Sequence, residues 1–106
     1  MDLAEEVYKL VQLFPKEELF ALSAQLKRAC ISIPSNIAEG YSRNTTKDYI
    51  RFLYIARGSL SETQTQILLS AKLKLVTDNQ ISAALNLTNE VGKMINAIIH
   101  KLTPKS

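Results

Sequence analysis

Apolar residues recur along the chain at steps of three and four, which is the spacing of amphipathic helices. The pattern predicts four helices over residues 2–14, 16–40, 46–74 and 78–102. The first two carry Leu3, Val7, Leu10, Val11 and Phe14, then Leu19, Leu22, Leu26, Ala29 and Ile33. The last two carry Ile50, Leu53, Arg57, Leu60, Gln64, Ile67, Ala71 and Leu75, then Ile81, Leu85, Thr88, Val91, Ile95, Ile98 and Leu102. Short connections favour antiparallel neighbours, so we predict an all-α, up-down-up-down four-helix bundle forming one domain over residues 1–106.

Proline, glycine and threonine set the expected helix boundaries. Pro15 separates the first two helices, because proline suits a helix start and disfavours a helical residue before it. Pro34 ends or kinks the second helix, and we favour a kink with Gly40 as the C-terminal stop. The third and fourth helices open with capping-box spacings at Thr45 and Thr77.

The third helix has a second apolar stripe on roughly the opposite side from the first, formed by Phe52, Ile55, Leu69 and Leu73. A helix of a monomeric bundle needs only one buried face. The second stripe therefore favours self-association through this helix over a scatter of exposed apolar residues. We predict a homo-oligomer with these four residues at the contact.

Polar residues fall at or beside core positions of the second and third helices: Asn36, Glu39, Arg57, Ser59 and Glu62. A buried charge is costly unless it is paired, so Arg57 should be buried against the carboxylate of Glu39 or Glu62. The five residues are interpreted either as a functional site or as a polar network that fixes helix register, and the network is favoured.

Composition narrows the function classes. The chain has 106 residues, 46% of them hydrophobic and 22% charged, ordinary values for one globular domain. Its one cysteine, Cys30, is interpreted as a buried inert thiol. Its one histidine, His100, has no second histidine or cysteine pair with which to form a zinc site. No phosphate-binding glycine loop, signal core or membrane-length apolar run occurs, so we expect a cytoplasmic protein that is not an enzyme and holds neither metal nor cofactor.

The basic charge is concentrated in the middle of the chain and at its end. Residues 27–57 hold six Lys or Arg and two acids, a net charge of +4, whereas residues 1–26 have a net charge of −3. In an up-down bundle one pole should gather Arg43, Lys47, Arg51, His100, Lys101 and Lys105, beside Tyr41 and Tyr49. Such a pole can bind phosphates and stack unpaired bases of RNA or DNA, or it is a solvated mixed-charge surface, since Asp2, Glu5, Glu6 and Asp48 should offset it.

Two strings carry a family resemblance. They are Ser32-Ile33-Pro34-Ser35-Asn36-Ile37-Ala38-Glu39-Gly40-Tyr41-Ser42-Arg43 and Phe52-Leu53-Tyr54-Ile55-Ala56-Arg57-Gly58-Ser59-Leu60-Ser61-Glu62, with Phe14-Pro15-Lys16-Glu17-Glu18 and Gln25-Leu26-Lys27-Arg28-Ala29 before them. The chain resembles the four-helix-bundle family of 23S rRNA intervening-sequence proteins, which are sometimes labelled ribosomal proteins. Compared with the family's pattern, the first helix of this chain begins at a later position and is shorter.

The resemblance implies an up-down bundle that assembles into a homo-oligomer, a ring of five. Similar bundles are accessory proteins of diversity-generating retroelements that bind nucleic acid and a reverse transcriptase, and the family's own activity is not established. Our first hypothesis is a non-catalytic, nucleic-acid-associated oligomer. The second is a scaffold for another protein, and the least favoured is an enzyme that uses Arg57 and Glu62.

Overall fold

The computed structural model describes residues 2–18 and 21–104 as four helices. They are α1 (Asp2–Val11), α2 (Leu22–Tyr41), α3 (Thr46–Lys72) and α4 (Asp78–Leu102), with a 3-10 turn at Lys16–Glu18. Each helix packs against its neighbours in the chain, and α1 closes the bundle against α4. The predicted all-α bundle is confirmed. Two boundaries differ by three residues or more, because α1 ends at Val11 rather than at residue 14 and α2 begins at Leu22 rather than at residue 16.

The core is a single cluster of aliphatic side chains from all four helices. Leu26, Ile33, Leu53, Ile67 and Ile95 are fully buried at its centre. The four apolar residues of α1 are also buried, so this ten-residue helix is held by one apolar face. Burying each such side chain contributes roughly 1.5–3 kcal/mol, and the cluster therefore fixes the packing of the bundle.

The buried face of α3 agrees only in part with the predicted one, since Leu53, Leu60 and Ile67 are buried as predicted. Small side chains occupy it at seven-residue intervals, namely Ala56, Thr63 and Ser70, and all three are buried. Arg57 is exposed and Gln64 half-buried, although the sequence pattern placed both on this face. Small residues bring helix axes close together, and they are easily overlooked because they add little hydrophobicity to the pattern.

The helix α2 runs through Pro34 and ends at Tyr41, one residue beyond the predicted stop. Gly40 is buried and does not have the left-handed conformation of a terminating glycine. It lies where a side chain would collide with α3, since an added Cβ would stand 2.6 Å from Cβ of Phe52 and 3.0 Å from Cδ1 of Tyr49. Gly40 is thus needed for the close approach of two helices.

Thr45 and Thr77 cap the N-termini of α3 and α4, as the sequence predicts. The hydroxyl of Thr45 accepts a hydrogen bond from the amide of Asp48 at 3.1 Å. Thr77 and Gln80 form a full capping box, with bonds of 3.1 and 2.9 Å. Between them α3 ends in a Schellman motif, with Lys74 at a φ of 62° and the amide of Leu75 bonded to the carbonyl of Ser70.

Three further findings concern chemistry. Cys30 is buried, as expected, and burial raises the pKa of its thiol. Within residues 2–18 and 21–104, no three His, Cys, Asp or Glu side chains are grouped so that they could hold a metal ion. The helices in this part of the chain are not apolar enough over a sufficient length to cross a membrane.

Candidate nucleic-acid interface

The start of α3 and the end of α4 meet at one end of the bundle. Thr46, Lys47 and Ile50 line a cavity of about 290 Å³ there together with Pro104, which follows α4. The α2–α3 connection lies at the same end. We call this end the basic pole and define it by Tyr41, Arg43, Lys47, Tyr49, Arg51 and Lys101. The structure therefore brings these predicted residues to one end, while Lys105 lies outside the described residues.

Both arginines of the pole lie against the ring of Phe52. The guanidinium carbons of Arg43 and Arg51 lie 4.8 and 4.5 Å from the ring centre of Phe52, which is within cation–π distance. Both arginines also have acidic partners one turn away. Arg43 donates to Glu39 at 2.7 Å, and Arg51 lies 3.8 Å from Asp48. The two guanidinium groups are thus held in place and partly neutralised.

The two tyrosines of the pole have different roles. Tyr41 is 77% exposed, and its ring meets that of Tyr49 edge to face at 5.8 Å. Tyr49 is half-buried and packs against the core beneath Gly40. Only Tyr41 offers a ring on which a base can stack, while Tyr49 supports it.

The acidic residues of α1 lie far from the pole, contrary to expectation. Asp2 lies beside Glu90 and Met94 in the middle of α4. From Met94 to the end of α4 is eight residues, or about 12 Å at 1.5 Å per residue. Glu5 and Glu6 come later in α1, which runs away from the pole. Asp48 alone of the four expected acids is present at the pole.

The described part of the pole keeps a positive charge. It holds four cations, from Arg43, Lys47, Arg51 and Lys101, and two carboxylates, from Glu39 and Asp48, a net charge of +2. His100 is exposed in the last turn of α4, where a cation is favourable. No carboxylate of the described residues pairs with Lys47 or Lys101.

The predicted polar network forms only in part. Asn36 donates to the carbonyl and hydroxyl oxygens of Ser32 at 2.8 and 2.9 Å, and the Ser32 hydroxyl lies 2.8 Å from that of Ser59. This chain of bonds links α2 to α3. Its central member, Ser32, was missed because a single serine in a helix gives no distinctive pattern.

The charged members of that network lie elsewhere. Glu39 pairs with Arg43, and Glu62 accepts a bond from Gln66 at 3.2 Å. The predicted burial of Arg57 against an acid is wrong. The side chain of Arg57 is exposed and donates to Oδ1 of Asn96 at 3.1 Å, and its guanidinium lies 4.6 Å from the ring centre of Tyr54.

Arg57 belongs instead to a groove between α3 and α4, which we call the Arg57–Lys93 groove. It measures about 440 Å³, and its polar lining includes Arg57, Gln64, Asn89, Lys93 and Asn96. Sequence reasoning missed the residues from α4, because polar positions of an amphipathic helix are usually a solvated face. The repeat of an amide at Asn89 and Asn96, seven residues apart, was the available signal.

One face of α3 presents three apolar side chains to solvent, with the exposed Glu62 midway between two of them in the same row. Ile55, Leu69 and Leu73 are 42%, 40% and 55% exposed. Gly58 lies on the same face, and an added Cβ there would have no neighbour within 4 Å. Phe52, which was expected with them, lies instead between two arginines and against α2. The exposed stripe therefore consists of three residues rather than four.

Comparisons with known proteins identify relatives of the chain. The family model of the 23S rRNA-intervening sequence proteins matches residues 1–97. A crystal structure of a protein of unknown function from the S23 ribosomal protein family of Bacteroides thetaiotaomicron VPI-5482 superimposes with a TM-score of 0.84. The two sequences are 26% identical over 92% of each chain. Among curated proteins no sequence matches the chain.

Proposed function

The chain belongs to the family of 23S rRNA-intervening sequence proteins, and we propose that it is a non-catalytic, homo-oligomeric bundle whose basic pole binds single-stranded RNA. The observation that carries the proposal is the group formed by Arg43, Phe52 and Arg51 beside the exposed ring of Tyr41. Guanidinium groups in fixed positions suit phosphate oxygens, and an exposed ring suits an unpaired base.

Electrostatics supports the same assignment. Lys47 and Lys101 add charge at the pole with no acidic partner among the described residues, and the acids of α1 lie about 12 Å or more from the pole along the bundle. Such a field attracts a polyanion over roughly the Debye length, about 8 Å at physiological salt. Binding that rests on it should weaken steeply as salt increases.

A non-catalytic role agrees with the chemistry of the one thiol. A nucleophilic cysteine is exposed and has a lowered pKa. Cys30 is buried, the pKa of its thiol is raised, and its sulfur donates to the carbonyl of Lys27 at 3.2 Å. These properties suit a packing residue.

We expect Tyr41→Ala to weaken the binding of single-stranded RNA by about 5- to 100-fold, since stacking contributes roughly 1–3 kcal/mol per base. Duplex RNA should lose little, because its bases have no free face. Fluorescence anisotropy with both RNAs measures the difference. Tyr8→Ala is the matched control, since Tyr8 is an exposed tyrosine on α1, away from the pole. Equal losses for the two RNAs would contradict stacking, and no binding of either RNA by the unaltered protein would favour the protein-scaffold hypothesis.

The proposed self-association uses the exposed stripe of α3, through Ile55, Leu69 and Leu73. A helix with apolar residues on two sides can bury the second side against another copy of the chain. Gly58 supports this interpretation, because glycine costs a helix interior about 1 kcal/mol relative to alanine and no contact among the described residues requires it. It would let a partner helix approach closely. The family resemblance implies a ring of five copies.

We expect Leu69→Glu to dissociate the oligomer, because a carboxylate buried at the contact would lack a partner. Leu68→Glu is the matched control, since Leu68 is 49% exposed but lies about 100° away around the helix. Light scattering should give a mass well above 11.9 kDa for the unaltered protein and the control, and a lower mass for Leu69→Glu. A monomeric unaltered protein, or equal masses for the two variants, would contradict this contact.

A further inference from the structure

We infer that the Arg57–Lys93 groove holds one unpaired nucleotide of the RNA strand whose phosphates the basic pole binds. Arg57 and Lys93 would contact the phosphate, and the amides of the groove would contact the edge of the base. The inference rests on the proposed function and extends it to a second site on the bundle. Three properties of the groove carry it.

The first property is charge without a counter-charge. No carboxylate lines the groove, and none of the described residues forms an ion pair with Arg57 or Lys93. The arginines of the pole differ in this respect, because Glu39 and Asp48 partly neutralise them. The nearest acid in the sequence of α4 is Glu90, three residues before Lys93; it lines a different cavity beside Asp2 and forms no ion pair with Lys93. A ligand phosphate would therefore meet two cations that have no ion-pair partner among the described residues.

The second property is a fixed cation among amides. Arg57 lies 4.6 Å from the ring centre of Tyr54 and donates one bond to Oδ1 of Asn96, which leaves other donors of its guanidinium for a ligand. Asn89 and Gln64 add amide groups to the walls, where Nε2 of Gln64 donates to Oδ1 of Asn89 at 3.4 Å and the other amide atoms are left for a ligand. Amides pair with base edges because each offers a donor and an acceptor side by side. The side chains of an acidic peptide only accept hydrogen bonds, so they would use the cations and the amide N–H groups but not Oε1 of Gln64.

The third property is an apolar floor. Leu60 and Gly92 contribute an apolar part of the lining, which we call the floor, and Gly92 adds no side chain to it. An added Cβ at Gly92 would stand 3.3 Å from Cδ2 of Leu60. An apolar floor with polar walls suits a planar base. The amides can then contact the edge of the base while its face rests on the floor.

The groove lies in line with the pole along α3. Ile50, Arg57 and Gln64 are spaced by seven residues on α3 and hence lie in one row along it. Ile50 lines the cavity at the pole, whereas Arg57 and Gln64 line the groove. Seven residues of helix span about 10 Å. One strand can thus contact Lys47 at the pole and Arg57 in the groove.

The test uses the full chain with Arg57→Gln and Lys93→Gln combined. Its matched control combines Arg28→Gln and Lys72→Gln, which removes the same charge from exposed positions outside the groove. The probes are a labelled single-stranded RNA of about ten nucleotides, a usual length for such sites, and the same strand without bases. Fluorescence anisotropy across a salt series gives the affinity and its salt dependence, and circular dichroism checks that each variant is folded.

We expect the groove variant to bind the intact RNA 10- to 100-fold more weakly, because two charge-assisted contacts are lost. Its slope of log affinity against log salt should be shallower by about 1.4, or roughly 0.7 per cation. Its preference for the intact strand over the baseless strand should fall several-fold, whereas the control should keep that preference. Tyr41 contributes equally to all three proteins, so the change in preference reports on the groove alone.

An unchanged affinity, slope and preference in the groove variant would overturn the inference and leave the proposed function standing. Absence of RNA binding by the unaltered protein would overturn both. Displacement of the RNA by polyglutamate as effectively as by unlabelled RNA of equal charge would overturn the inference in favour of an acidic protein segment.

Discussion

Replacing Arg43, Lys47 and Arg51 together with Gln is expected to reduce RNA affinity at low salt by about 100-fold or more. Each cation that neutralises a phosphate releases a counterion, so three lost contacts should flatten the salt dependence by about 2, at roughly 0.7 each. The bundle should stay folded, because all three side chains are exposed and none belongs to the core. Fluorescence anisotropy across a salt series, with both proteins in parallel, measures the loss.

The acidic partners at the pole provide a control of opposite sign. Glu39 and Asp48 are about half exposed and lie 2.7 and 3.8 Å from the arginines that they partly neutralise. Glu39→Gln combined with Asp48→Asn should therefore strengthen RNA binding several-fold. In an oligomer several poles can bind one strand, which amplifies both changes. Opposite effects of the two sets would establish that the charge of the pole sets the affinity. Unchanged affinity in the triple variant would contradict the proposed site.

Much of this fold could be predicted from local patterns. The aliphatic stripe of α1 and the capping threonines Thr45 and Thr77 act within one or two helical turns, and the structure confirms them. The rotation of α3 could not be predicted in the same way, because it depends on packing against α2. Which face is buried depends on the close approach at Gly40 and on the row of Ala56, Thr63 and Ser70. Small residues such as these add little to a hydrophobic pattern.

The candidate site could likewise be predicted only in part. Chain order in an up-down bundle was enough to place Arg43 near Lys101, since connections and termini alternate between the two ends. The partners of each side chain depended on facts beyond chain order. Glu39 reaches Arg43 rather than Arg57 because four residues separate them on one helical turn. The α3–α4 groove arises where two polar faces meet, and neither face is distinctive alone.

Gly40→Ala is expected to have the largest effect on stability. In a helix interior this change normally gains about 0.5–1 kcal/mol. At Gly40 the added Cβ would stand 2.6 Å from Cβ of Phe52, so one helix must move. Overpacking of this kind typically costs about 1–3 kcal/mol, which lowers the melting temperature of a domain this size by roughly 4–8 °C per kcal/mol.

Alanine at the other two glycines provides the comparison, because the added Cβ has different neighbours at each of the three positions. Gly58→Ala should gain the normal helix increment, since nothing lies within 4 Å of the added atom. Gly92→Ala should lie between the two, because the end of the Leu60 side chain can yield by a few tenths of an ångström. Thermal melts of the three variants in the Leu69→Glu background keep the proposed oligomer contact out of the comparison. A gain at Gly40 equal to that at Gly58 would contradict the tight packing of α2 on α3.

Gly40→Ala should also weaken RNA binding, although Gly40 offers no side chain to a ligand. Phe52 holds Arg43 and Arg51 at 4.8 and 4.5 Å, and it is the residue that the added Cβ would displace. A shift of Phe52 would therefore move both guanidinium groups together. Because both charges remain, the salt dependence should stay near that of the unaltered protein while the affinity falls. This combination separates misplaced cations from missing ones, for which both quantities fall.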